Sequence, residues 1–205
     1  KEKYSEYIEC DVKEPDQIRD LIEKIQKKYN SIDVLVNNAG GGPPVEAANA
    51  SPRLSKSIIE LNLLAPIFVS TEVNNIMQQQ ALGGCIINIS SVSVIRPSPG
   101  AAAYGSAKSG LANLTESLAI EWAPKVRLNS ILCGLVETEE SILHYGSQES
   151  ITKIAETIPL ERMGKPKDIG NGCIFLASSQ AEYISGASLL IHGGGESPSY
   201  NDAKK

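Results

Sequence analysis

Short apolar runs alternate along this chain with longer stretches in which apolar residues recur every three or four positions. Runs of the first kind are typical of buried strands in a parallel sheet, and stretches of the second kind predict amphipathic helices. The predicted strands are 7–12, 32–36, 85–91, 126–132 and 187–192, and the predicted helices are 17–29, 51–79, 101–122 and 167–178. Strands that alternate with helices predict an α/β fold built on a doubly wound parallel sheet.

Length and composition fit a single domain, which we expect at residues 1–195, with 196–205 as a flexible tail. The chain has 205 residues, of which 41% are hydrophobic and 21% charged, as in ordinary globular proteins. Its net charge of -5, without a polybasic cluster, argues against nucleic acid as a partner. No hydrophobic signal segment or continuous apolar run of transmembrane length is found, which predicts a cytoplasmic protein without a membrane partner. Four widely spaced cysteines without a C-x-x-C pair favour reduced thiols and no metal site.

Candidate chemistry begins with Tyr104 and Lys108, which stand four residues apart in the predicted helix 101–122. That spacing puts both side chains on one helix face. An ammonium beside a phenol stabilises the phenolate, so we expect a lowered pKa for Tyr104 and a role as general acid or base. Taken alone, such a pair is more often solvated on a helix surface. Ser91 favours a site, because it ends a predicted strand and functional groups of parallel sheets collect at the carboxyl ends of strands.

Four motifs in this order resemble those of the short-chain dehydrogenase/reductase family. They are Asn37-Asn38-Ala39-Gly40, Asn62 in Glu60-Leu61-Asn62-Leu63, Ile89-Ser90-Ser91 and Tyr104-x-x-x-Lys108. The resemblance implies a Rossmann-like fold, NAD or NADP as cofactor, and a small-molecule ketone or secondary alcohol as substrate. Similar proteins are mostly 3-oxoacyl-carrier-protein reductases and alcohol or hydroxysteroid dehydrogenases. They usually form homotetramers, or homodimers.

The resemblance also implies a role for each matching residue. Tyr104 would be the general acid/base, Lys108 would lower its pKa and bond the nicotinamide ribose, and Ser91 would orient the substrate oxygen. The backbone carbonyl of Asn62 would hold a water in a proton relay, and Pro66 would free that carbonyl by kinking the helix. The implied cofactor-binding residues are Asp11, Val12, Asn38, Ala39, Gly40, Tyr104, Lys108, Gly134, Val136 and Thr138. From the residues alone, Asp11 could be a turn residue and 37–42 a glycine-rich turn.

One motif of the family is not found: the phosphate-binding loop Gly-x-x-x-Gly-x-Gly after a first strand. We therefore expect roughly fifty to sixty further residues before Lys1, which would supply this loop within a first βαβα segment of the Rossmann plan. Residues 139–158 resemble the variable loop that shapes the family's substrate pocket. A non-catalytic member, kept for assembly or regulation, is the alternative that the missing loop leaves open.

Overall fold

The computed structural model describes residues 5–139 and 141–196, without the side chains of Leu143 and His144. Most of the predicted tail, residues 197–205, lies outside them.

The described residues form one sheet of four parallel strands in the order β1-β2-β3-β4. The strands are β1 (Val34–Asn37), β2 (Gly84–Ser91), β3 (Val126–Cys133) and β4 (Ser188–Ile191). The two central strands come from the two longest apolar runs, as expected for strands covered on both faces. All carboxyl ends therefore lie at the same edge of the sheet.

Helices precede and connect the strands. They are α1 (Pro15–Tyr29), α2 (Pro52–Ile59), α3 (Ala65–Met77), α4 (Ala102–Glu121), α5 (Ser141–Tyr145), α6 (Gln148–Glu156) and α7 (Pro166–Ala177). Proline opens α1, α2 and α7 within their first turn, where its missing N–H costs nothing.

Alternate residues of β2 are buried in two separate hydrophobic cores, one on each face of the sheet. On one face Ile86 packs with residues of α1, α3 and α4, such as Ile18 and Met77. On the other face Cys85 and Ile87 pack with residues that include Leu176 of α7. Helices thus cover both faces of the sheet, which confirms the predicted doubly wound α/β fold.

Three local predictions need correction. Residues 7–11 were expected within a strand, but they have no regular structure and Val12 lies in a turn, because no strand of the described residues lies beside them to pair with. The loop expected at 139–158 contains α5 and α6. The long helix expected at 51–79 is interrupted by a π-helical turn, Glu60–Leu64. Pro66 lies two residues after this turn. It has no backbone N–H that could donate a hydrogen bond to the carbonyl of Asn62, four residues earlier.

The combined helical stretch Pro52–Met77 is the only one in the described part of the chain that is long and apolar enough to cross a membrane by length and composition. This is weak evidence for a span, since core helices of other proteins pass the same test. The stretch contacts α1, α4 and the sheet.

Candidate active site

The carboxyl ends of three strands bring the predicted site residues to one edge of the sheet. β1 ends at Asn37, which lies opposite Asn88 of β2. β2 ends at Ser91, which lies opposite Cys133 at the end of β3. The loops that follow neighbouring strands therefore start at the same edge of the sheet. Motifs that are far apart in sequence meet at this edge.

Tyr104 lies in the first turn of α4, close to Ser91. The Ser91 hydroxyl donates to Ser93 Oγ at 3.0 Å and accepts from the Ser93 backbone N–H at 3.2 Å. Burial raises the pKa of Tyr104, and a hydrogen bond with the Ser91 side chain only partly offsets it. The expected lowering of the Tyr104 pKa is therefore wrong for this structure, because burial outweighs the contacts that favour the phenolate.

Lys108 follows one turn later and is only 4% exposed. Its ammonium donates to the backbone carbonyl of Ile89 at 2.8 Å and lies 5.7 Å from the centroid of the Tyr104 ring. Burial lowers the pKa of Lys108 to about 8, because a low-polarity environment disfavours its charged form. An ammonium has several N–H donors, and the described residues engage it in this one hydrogen bond.

Asn62, fully buried in the π-helical turn, fixes the loop that follows β1. Its Nδ2 donates to the carbonyl of Gly41 at 2.7 Å and to that of Ile58 at 2.9 Å, while its Oδ1 accepts from the Gly41 N–H at 2.8 Å. Sequence reasoning assigned a role to the backbone carbonyl of Asn62. It did not identify these hydrogen bonds from the Asn62 side chain to Gly41. The available signal was an amide among apolar neighbours, because a buried amide needs hydrogen-bond partners.

Gly40 brings that loop against Asn62 and Lys108. A Cβ at Gly40 would lie 2.8 Å from Asn62 Oδ1 and 3.1 Å from Lys108 Nζ, so glycine is needed for this close approach. Asn38, Ala39 and Gly40 are exposed. Residues 38–40 thus present exposed backbone beside an ammonium with further N–H donors, an arrangement that fits a hydroxyl-bearing ligand such as a ribose.

Gly134, Val136 and Thr138 follow the carboxyl end of β3. The Gly134 N–H donates to the Ile191 carbonyl at 2.9 Å, and a Cβ there would lie 2.6 Å from that of His192. Val136 forms a bridge with Gly164. The Thr138 N–H donates to Ser141 Oγ at 2.8 Å, and its exposed hydroxyl makes no hydrogen bond to a described residue. That hydroxyl is available to form a hydrogen bond with a ligand group such as a carboxamide.

Asp11 and Val12 lie apart from this centre. The Asp11 carboxylate accepts from the Lys13 N–H at 3.0 Å and lies 3.5 Å from its ammonium, which agrees with the alternative of a turn residue. Val12 lines a second, mainly apolar cleft of about 180 Å³ with Asn38 and Ala39. Val12 therefore shares a cleft with Asn38 and Ala39, and Tyr104 does not line that cleft.

A cleft of about 390 Å³ opens in front of Ser91 and Tyr104. Gly134 and Tyr145 of α5 also line it, so the predicted variable loop does reach the pocket. Arg96 lines it as well. Sequence reasoning did not single out Arg96, because a lone arginine before a loop proline has no spacing that signals a role.

Comparison with known proteins identifies relatives of this chain. Residues 1–196 match the family model described as enoyl-(acyl carrier protein) reductase. The chain is 33% identical over 188 residues to 3alpha-hydroxysteroid dehydrogenase of Mediterraneibacter gnavus, covering 91% of this chain and 74% of that protein. It is 34% identical over 191 residues to an uncharacterized short-chain type dehydrogenase/reductase of Sinorhizobium fredii, covering 91% of this chain but only 34% of that longer protein.

Solved structures give the same result. Aldohexose dehydrogenase of Thermoplasma acidophilum, in ligand-free form, superposes with a TM-score of 0.89 at 33% identity, covering 94% of this chain and 79% of that one. A variant of ElxO with NADPH bound superposes with a TM-score of 0.86 at 31% identity, covering 92% and 77%.

The chain belongs to the short-chain dehydrogenase/reductase family, as its motifs predicted. The class of protein is thus an oxidoreductase, and the predicted NAD or NADP cofactor is supported by family membership and by the NADPH-bound neighbour. Homotetramer or homodimer assembly and cytoplasmic location stay predictions.

Proposed function

We propose that this protein transfers a hydride between NAD(P)(H) and a ketone or secondary alcohol, with Tyr104 as general acid/base. The observation that carries the proposal is the meeting of Ser91, Tyr104, Lys108 and Asn62 at the carboxyl ends of β1 and β2, beside a cleft of about 390 Å³. That volume suits a small molecule, since ligand pockets measure about 300–1,000 Å³.

The nicotinamide cofactor supplies the hydride when bound, and the protein supplies orientation and a proton. The residues that would hold it are Gly40, Lys108 and Thr138, with the donors and the close approach described above. Asn62 keeps the Gly40–Gly41 backbone in place through its paired hydrogen bonds.

Ser91 and Tyr104 would bind the substrate oxygen together. Because burial raises the pKa of Tyr104, its phenol is protonated at neutral pH and ready to donate as a carbonyl becomes an alcohol. Alcohol oxidation needs the phenolate, and it is therefore expected to be favoured by alkaline conditions. Lys108, with its pKa lowered to about 8, can take or release a proton near neutrality, as a relay between Tyr104 and the Asn62 side of the site requires.

Tyr104→Phe tests the proposal, because it removes one hydroxyl and leaves the packing intact. NAD(P)H oxidation with a panel of ketones should fall by at least ~10²–10⁴-fold, the usual contribution of a general acid, with an unchanged melting temperature. Tyr183→Phe is the matched control, since Tyr183 is fully exposed and remote from the cleft. A Tyr104→Phe enzyme with more than a tenth of wild-type turnover would remove Tyr104 from the mechanism. A folded, cofactor-binding wild type without turnover of any ketone would favour the non-catalytic alternative.

A further inference from the structure

Arg96 stands on the wall of the cleft that contains Ser91 and Tyr104. It follows the 3₁₀ turn Val92–Val94 that continues from β2, and its N–H donates to the Val92 carbonyl at 3.1 Å. The end of β2 therefore fixes the position of Arg96 relative to Ser91.

The polarity of the cleft points to an acidic ligand. Among the described residues that line it, Arg96 is the only one with a permanently charged side chain, and no carboxylate is present. The other described lining residues carry hydroxyls, as Ser93, Ser98 and Tyr145 do, or are apolar or glycine. Arg96 thus provides the charge among these described lining residues, and its partner in this structure is Glu196, which is not one of them.

The guanidinium of Arg96 has unused donors. Nη2 donates to Glu196 Oε1 at 2.7 Å, whereas Nε is buried and has no partner within the described residues. A guanidinium carries several N–H donors in a planar fork that matches a carboxylate in two parallel hydrogen bonds. Because Nε is buried, a carboxylate in the cleft would pair with the terminal nitrogens, one of which Glu196 holds in this structure.

Glu196 holds Arg96 only loosely. The two side chains are 39% and 33% exposed, and ion pairs of this exposure contribute little to stability. Glu196 follows Gly193, Gly194 and Gly195, each with a positive φ. A competing carboxylate inside the cleft can therefore replace Glu196 at a small free-energy cost.

We infer that Arg96 is a substrate-binding residue and that this enzyme acts on oxo acids and hydroxy acids. The inference rests on the proposed function and deepens it. The carbonyl or alcohol of the substrate lies at Ser91 and Tyr104, and its carboxylate pairs with Arg96 in place of Glu196. The cleft of about 390 Å³ limits such a substrate to a small molecule.

The test uses oxo acids that differ in the spacing between carbonyl and carboxylate, each compared with its neutral methyl ester. In the wild type with NAD(P)H, the best acid should have a lower KM than its ester. Arg96→Met should raise the KM of that acid about 10- to 100-fold, the factor for a lost charge-assisted bidentate contact, and leave the ester unchanged. Glu196→Gln should lower the KM of the acid, because the competing carboxylate is gone. Arg53→Met, which removes an exposed charge that does not line the cleft, should change neither.

Two results would overturn the inference: a wild type without preference for any acid over its ester, or an Arg96→Met variant that weakens both equally. Turnover of neutral ketones would then still support the proposed function. If neither acid nor ester is turned over, the proposed function fails, and calorimetric titration of the acids tests the inference by itself. Weaker binding of the acids to Arg96→Met than to the wild type would support the inference. Equal binding to both would overturn it as well.

Discussion

Lys108 offers a quantitative test of the site's electrostatics, through Lys108→Met. Burial lowers the pKa of its ammonium from the ordinary 10.5 to about 8. At about 1.4 kcal/mol per pH unit, holding this charge inside the protein costs about 3 kcal/mol at neutral pH. The side chain is 4% exposed, so solvent screening reduces the cost little.

The sign follows from proton binding. Between pH 8 and 10.5 the unfolded chain keeps the proton while the folded protein has lost it, so stability rises with pH in this window. The cost is present in full below the folded pKa and disappears as the pH approaches the unfolded value. Relative to Lys108→Met, the wild type should therefore gain about 2 kcal/mol of unfolding free energy from about pH 7 to about pH 9.5.

Urea unfolding across this pH range, followed by circular dichroism, measures the effect. Cysteines of the unfolded chain titrate in the same window, so the quantity to compare is the difference between variant and wild type. The lost hydrogen bond to the Ile89 carbonyl adds a constant that does not depend on pH. Lys24→Met, at an exposed position of α1, is the matched control and should give a flat difference. A flat or falling difference for Lys108→Met would refute the argument.

The remaining predictions concern Asn62 and Gly83. Asn62→Ala leaves the Gly41 N–H and carbonyl without their partners, so it should lower the unfolding free energy by about 2–4 kcal/mol. It should also weaken cofactor binding, measured by NAD(P)H fluorescence. The control is Asn113→Ala, at an exposed position of α4, which should change neither quantity. Gly83→Ala and Gly100→Ala both place alanine at positive φ, but a Cβ at Gly83 would lie 1.7 Å from a backbone carbonyl oxygen whereas none lies within 4 Å at Gly100. Thermal melts should show Gly83→Ala less stable than Gly100→Ala by at least about 2 kcal/mol, and equal losses would contradict the steric argument.

The motifs identified the family because each depends on local sequence. The Tyr104–Lys108 spacing follows from helical periodicity, Ser91 ends a run whose apolar residues alone predict a buried strand, and the alternation of strands and helices indicates a doubly wound sheet. These features predicted the fold correctly, together with the strands at 34–37, 84–91, 126–133 and 188–191 to within two residues.

What the sequence could not supply depends on contacts between distant segments. The pKa of Tyr104 rises instead of falling because burial, a property of the folded surroundings, outweighs its local partners. Residues 7–11 form no strand because a strand requires a neighbour, whatever its own propensity. The hydrogen bonds from Asn62 to Gly41 and the ion pair from Arg96 to Glu196 join residues 21 and 100 positions apart. Only the tertiary structure decides which distant side chains meet, because hydrophobic periodicity predicts which face of an element is buried but not what it is buried against.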